Sequence, residues 1–222
     1  MTEKKQRKAK GKVTGIFIAR VLLQVAFFAL FIILLLKGRL QLWFVIFAAG
    51  VILSPLLGRL YCGWACPMHT VFRPISWFYK KTGIKRIKTP AFLKNRILRF
   101  IPLIAFVGVM VMTKRLGTPL PVLAILTVLS VIVSLFFEEA LWHNVLCPFG
   151  TILSISSIPA VKKYKVDETN CINCGKCQKT CPVHAIDTLE SGKRFIRKQD
   201  CISCDNCVPA CPTGSISYNS SK

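Results

Sequence analysis

Eight of the eleven cysteines in this 222-residue chain fall in one stretch, Cys171–Pro212, and their spacing is written twice. The stretch reads CINCGKCQKTCP, then a spacer, then CISCDNCVPACP, so each copy spells C-x2-C-x2-C-x3-C-P, and Cys201 follows Cys171 by 30 positions. Three thiolates at such intervals let one turning loop occupy three corners of an iron–sulfur cage, and a distant fourth closes it. Pro182 and Pro212 keep each loop from running on into a helical turn. Structural zinc also uses paired cysteines. It takes four ligands from pairs, however, and gives no reason for triplets followed by Cys-Pro in duplicate.

The spelling resembles that of bacterial ferredoxins with two 4Fe-4S clusters, in which the fourth cysteine of each copy serves the other copy's cluster. That resemblance implies Cys171, Cys174, Cys177 and Cys211 as ligands of one cluster and Cys201, Cys204, Cys207 and Cys181 as ligands of the second. It also implies a small α+β ferredoxin domain over residues 161–222. Thiolate ligands call for a reducing compartment, so this domain is expected on the cytoplasmic side.

The rest of the chain must carry these loops, and its composition says how. Hydrophobic residues make up 53% of the sequence and the mean hydropathy is +0.50, values that imply a membrane. The net charge of +22 raises the question of nucleic acid. Yet 21 of the 31 basic residues and only three of the nine acidic ones lie in residues 1–161, among the hydrophobic segments. Positive loops on the cytoplasmic side of a membrane explain that excess, and no nucleic-acid-reading motif accompanies it.

Residues 1–12 form a basic cytoplasmic arm with Lys4, Lys5, Arg7, Lys8, Lys10 and Lys12. Residues 13–160 read as an α-helical membrane domain of four transmembrane helices: Gly15–Leu36 as an uncleaved anchor, Leu40–Leu60, Ile97–Met112 and Pro119–Phe137. Arg20 is placed to snorkel back to the interface. The third span is short and carries Arg99, but four crossings are needed to keep the cysteine-rich tail on the cytoplasmic side. The loop between the second and third spans is basic and aromatic, and suits an anionic membrane surface.

A second repeat runs through this membrane part. Moving 81 positions along superimposes LYCGWACPMHTV on LWHNVLCPFGTI, so that Cys66-Pro67 meets Cys147-Pro148 and Cys62 meets His143. The membrane domain thus reads as two duplicated hairpins, each closed by C-x3-C-P (62–67) or H-x3-C-P (143–148). Residues four apart share a helix face, so Cys62, Cys66, His143 and Cys147 could converge as a third iron–sulfur or metal site. Simple packing of small thiols, or a redox-active Cys62/Cys66 pair, fits the same spacing.

Together these motifs resemble the NapH and NosR type of membrane-bound 4Fe-4S polyferredoxins, over most of residues 15–215. The flavin-binding region of the NosR type has no counterpart in this sequence, which favours the NapH type, and His143 stands where that family has cysteine. The resemblance implies an electron-transfer component of an oxidoreductase complex, relaying electrons between the quinone/quinol pool and a redox protein partner. A quinone would need a cleft with a proton acceptor, for which Glu138, Glu139, His69 and His143 are candidates, with Trp64 and Trp142 as walls. An alternative is a maturation factor that uses its clusters, or Cys62 and Cys66, to reduce or handle copper; a purely structural membrane anchor is the third reading.

Overall fold

The computed structural model describes residues 3–90, 93, 96–117 and 121–220. The chain opens with α1 (Glu3–Leu36), in which the basic arm is the first turns of the same helix rather than a separate segment. Gly38, at φ +65°, reverses the chain, and the N–H of Arg39 caps back onto the Leu34 carbonyl. The next helix, α2 (Trp43–Leu57), lies back along α1. Trp43 is wedged edge-on against Phe31 and Phe27 and donates its indole N–H to the Tyr61 hydroxyl at 2.7 Å. Gly58, at φ +69°, ends α2, so the second hydrophobic segment stops three residues before the expected Leu60.

After Gly58 come a short α3 (Leu60–Trp64) and an amphipathic α4 (Pro67–Thr82). Then follow α5 (Phe100–Leu116) and α6 (Val122–Phe136). A short α7 (Glu139–Leu141) continues into a π-helical segment at Trp142–Leu146, and α8 (Pro148–Ser156) closes the helical part. In the packing, α1 meets α4, α2 and α5 both meet α8, and α4 meets α6.

Among the described residues, three segments are long and apolar enough to cross a membrane: Gly15–Leu36, Leu40–Leu57 and Ile97–Leu116. Their outward faces carry exposed Leu22, Ile52 and Ile104, the pattern that lipid tolerates and water does not. The strengths of the last two segments are reversed relative to expectation. The third runs 20 residues, and its troublesome Arg99 sits before α5, tied to Ser154 at 2.7 Å and Asp200 at 3.3 Å. The fourth forms only the 15-residue α6; its expected start at Pro119 lies outside the described residues.

The two halves of the helical part share a local device. Before each Cys-Pro the chain makes one wide turn, with the Cys66 N–H on the Tyr61 carbonyl (3.0 Å) and the Cys147 N–H on the Trp142 carbonyl (2.8 Å). Each cysteine then caps a helix that begins with its proline, a position where the missing N–H costs nothing. Thr70 and Thr151 bond back to the carbonyls of Cys66 and Cys147 in the same way.

From Lys162 the chain is a two-layer α+β unit. Its first strand, β1 (Lys162–Val166), pairs antiparallel with its last, β4 (Ile216–Ser220), and β2 (Ile186–Thr188) pairs with β3 (Arg194–Ile196). Between them lie α9 (Lys176–Thr180) and α10 (Cys207–Ala210). Tyr164, Ile186, Ile196 and Ile216 fill the core around Cys177.

This unit is fastened to the end of α2 and to α3 by side chains that donate to backbone carbonyls. The Trp64 side chain donates to the Ser203 carbonyl at 3.1 Å and the Tyr218 hydroxyl donates to the Leu57 carbonyl at 2.8 Å, while within the helical part Gln24 donates to the Gly63 carbonyl at 2.7 Å and steadies the α3 loop. Gly63 itself leaves no room: a Cβ there would run into the Ile202 carbonyl oxygen and stand 3.1 Å from the Cys204 Cα. Gly63→Ala should therefore push the 199–207 loop off its seat, at a cost of about 1–3 kcal/mol. Faster proteolysis between Ser156 and Lys162 and a lower melting temperature are expected; an unchanged melt and cleavage rate would contradict this docking.

Candidate functional site

The cysteine loops of the α+β unit are drawn twice with one template. Asn173 and Ser203, 30 positions apart, both have positive φ (59° and 53°), as do Gly175 and Asp205 (70° and 60°) and His184 and Gly214 (50° and 65°). Such left-handed residues bend the chain so that successive cysteines face inward rather than alternate. Cys181 and Cys211 end α9 and α10 in matching extended conformations, at φ −79° and −83°.

The eight cysteines fall into two cavities. Cys181, Cys201, Cys204 and Cys207 line one, with Val183, Ile186 and Ile202 among its walls. Cys171, Cys174, Cys177 and Cys211 line the other, with Ile172 and Arg194. Each cavity thus takes three cysteines from one loop and one from the other. Burial pushes Cys201 up to about 11 and Cys204 up to about 12, so an electropositive partner must replace the proton if these sulfurs are to act as thiolates. Backbone N–H groups already point at the sulfurs, as from Ala185 to Cys181 at 3.3 Å.

Two buried arginines give an independent test of fit. Arg20 and Arg59 are each 1% exposed, and among the described residues neither has a carboxylate within ion-pair distance. Arg20, expected at the interface, donates to Asn206 at 3.1 Å, beside Cys207, and its Nε and a second terminal nitrogen have no acceptor. Arg59 donates to the Gln199 carbonyl at 3.0 Å and reaches the Cys62 sulfur at 3.9 Å, leaving its Nε without an acceptor. A guanidinium so buried calls for a counter-charge. Arg20 acts electrostatically on Cys204, and Arg59 on Cys201, Cys62 and Cys147. Anionic 4Fe-4S clusters held in part by Cys204, near Arg20, and by Cys201, near Arg59, would meet that demand, so the residues fit the group.

All four residues expected at a third site are buried. Cys62, Cys66 and Cys147 are buried in one apolar core cluster, where burial raises all three thiols and neighbouring sulfurs raise Cys66 and Cys147 further, Cys147 up to about 12. His143 stacks edge-on against His69, with ring centroids 5.4 Å apart, and against Phe72. His69 and Glu139 line a cleft of about 620 Å³ with Phe17, Arg73, Trp77, Tyr79 and Glu138, and the cleft extends to Cys181 and Asn206. Trp64, Trp142 and His143 are not among its walls.

Comparison with known sequences decides the family. Residues 164–218 match the family described as a 4Fe-4S dicluster domain, and residues 40–85 and 119–166 match that described as a 4Fe-4S binding domain. The chain is 29% identical over 161 residues to the putative electron transport protein YccM of Escherichia coli, covering 60% of this chain and 44% of that protein. It is 28% identical over 139 residues to the ferredoxin-type protein NapH of Haemophilus influenzae, covering 56% and 47%. The methylamine utilization ferredoxin-type protein MauN of Paracoccus denitrificans is 26% identical over 144 residues, covering 56% and 48%. The chain belongs to the NapH-type polyferredoxin family. It spans about half the length of these relatives, and no solved structure matches it.

In this NapH-type chain the two family matches to residues 40–85 and 119–166 cover the two halves that share the Cys-Pro turn. Arg59 and Arg20 are the site residues that spacing alone misses; the available signal was a charge inside or beside an apolar run, which more often means an interfacial anchor. The crossed grouping of cysteines makes a spectroscopic prediction. Cys181→Ser should leave the same residual cluster spectrum as Cys204→Ser, and Cys211→Ser the same as Cys177→Ser. A Cys181→Ser spectrum matching that of Cys177→Ser would contradict it.

Proposed function

We propose that this chain is a membrane-bound electron-transfer subunit that passes single electrons between a quinol pool and a redox partner protein. When bound, 4Fe-4S clusters on Cys171, Cys174, Cys177 and Cys211 and on Cys181, Cys201, Cys204 and Cys207 supply one-electron chemistry without acid–base groups of their own. The observation that carries the reading is the double role of Cys181. It lines the membrane-side cysteine cavity and also the end of the 620 Å³ cleft, whose other walls include Phe17, Trp77 and Tyr79. A cleft of this size suits a small aromatic ring. Arg20 and Arg73 both lie over the Phe17 ring, at 5.3 Å, and stiffen that wall.

In this reading Gly15–Leu36, Leu40–Leu57, Ile97–Leu116 and the shorter α6 cross the cytoplasmic membrane. The amphipathic α4 lies along the inner surface, and the α+β unit faces the cytoplasm. The outer cysteine set, with exposed Cys174 and Ile172, is then the end available to a partner protein. Cys62, Cys66 and Cys147 form a third thiol site on this path, facing Arg59. Their burial favours a resident centre over the copper hand-off of a maturation factor, which needs exposed sulfur.

Two measurements test the proposal. In membranes under argon, a short-chain quinol should bleach the cluster absorbance, and Phe17→Ala with Trp77→Ala should slow that bleaching roughly tenfold; no response to quinol or quinone would overturn the relay. Iron analysis of Cys62→Ser with Cys66→Ser should show less iron per chain than the wild type, while both ferredoxin-type cluster signals persist. Unchanged iron removes the third thiol site.

A further inference from the structure

We infer that His69, Glu139 and His143 form a binding site for one divalent first-row transition-metal ion, of the Fe²⁺ or Zn²⁺ kind, separate from the cysteine cavities. One nitrogen from each imidazole and one carboxylate oxygen lie within 4.8 Å of one another, the one such set of three among the described residues. Ligand atoms on a single ion with bonds near 2.1 Å stand roughly 3 to 4 Å apart, so small side-chain rotations close the site. Two imidazoles and a carboxylate on one face, with further positions open, is a donor set that suits iron or zinc.

The local structure supplies the set from two directions. Glu139 and His143 are four residues apart on α7 and the π-helical segment, and so share a face. His69 arrives from the first turn of α4, three residues after the Cys66 cap. All three are buried, at 3%, 5% and 3% exposure for His69, Glu139 and His143. Buried polar atoms normally find partners, yet His69 Nδ1 and His143 Nε2 have none. Glu139, by contrast, is held in place: Ser76 donates to its Oε1, and Arg86 stands 3.7 Å from the same oxygen while bonding Ser76 at 2.6 Å. Outer hydrogen bonds of this kind orient a ligating carboxylate.

Charge sets the expected strength. Burial first, then Arg20 and Arg73, keep His69 neutral, the form that binds metal, and burial does the same for His143. Those arginines, with Arg86, also repel any cation, although Arg20 and Arg73 both face Cys204 and are counter-charges to a cluster there. Three coordinate bonds and one carboxylate charge against this background point to micromolar rather than picomolar binding. Entry is from the 620 Å³ cleft, which His69 and Glu139 line. The site stands whether or not the cleft takes a quinol.

The test uses the full chain in detergent under argon, with labile sulfide measured throughout to show that the clusters persist. Titrated Co²⁺ should bind at one per chain in the micromolar range, with visible d–d bands and no sulfur-to-cobalt charge-transfer band, and Zn²⁺ should displace it. His143→Ala and, with less disturbance to packing, Glu139→Gln should each weaken binding 10- to 100-fold at unchanged sulfide content. Absence of stoichiometric uptake by the wild-type chain overturns the site, as does a sulfur charge-transfer band, which would move the ion to Cys62, Cys66 and Cys147. Uptake that survives Glu139→Gln unchanged overturns it as well.

Discussion

Burying a guanidinium with no carboxylate in ion-pair reach is among the costlier arrangements available to a folded chain, and among the described residues it occurs twice at one seam. Arg20 and Arg59 come from the membrane part, and the groups they face are the cysteines of the 199–207 loop. The seam is tolerable when those sulfurs are anionic. Assembly of the thiolate site and docking of the two domains are therefore coupled. Each lowers the cost of the other, and the polar chain from Arg73 through Gln24 to the Gly63 carbonyl holds the geometry in which both occur.

That coupling treats the two cysteine cavities unequally. The set of Cys181, Cys201, Cys204 and Cys207 rests on the α3 loop, under Trp64 and beside two buried cations. The set of Cys171, Cys174, Cys177 and Cys211 faces outward. Its nearby cations, Lys193 on the Cys171 carbonyl and Arg194 on the Asn173 carbonyl, are only part-buried and so are better screened by solvent. Identical spacing in sequence thus produces two different electrostatic settings.

Much of this was legible in the residues. The doubled C-x2-C-x2-C-x3-C-P fixes which sulfurs can share a loop, and its register of 30 reappears as matched left-handed residues at 173 and 203, 175 and 205, and 184 and 214. The hydrophobic runs announced helices because a run of about twenty apolar residues has few other uses. What spacing could not convey was direction. Arg20, inside such a run, reads as an interfacial charge until the partner across the seam is known. Glu139 reads as a solvated helix-end carboxylate until Ser76 and Arg86 are seen to enclose it. Both depend on contacts made by residues far away in the chain, and no local pattern encodes those.

The position paired across the 81-residue repeat shows how a duplicated frame acquires two chemistries. Both copies keep the wide turn, the cysteine cap, the proline start and the threonine that bonds back to the cap. In the first copy a short α-helix carries Cys62, which lies with Cys66, Cys147 and Arg59. In the second copy residues Trp142–Leu146 are π-helical, and His143 lies with His69 and Glu139. The register of 81 runs through both copies without a gap, so the difference in chemistry rests on the residues themselves. Position 62 offers a sulfur beside sulfurs, and position 143 offers a nitrogen beside a second imidazole and a carboxylate. A duplicated frame therefore needs no change in its length to present two donor sets.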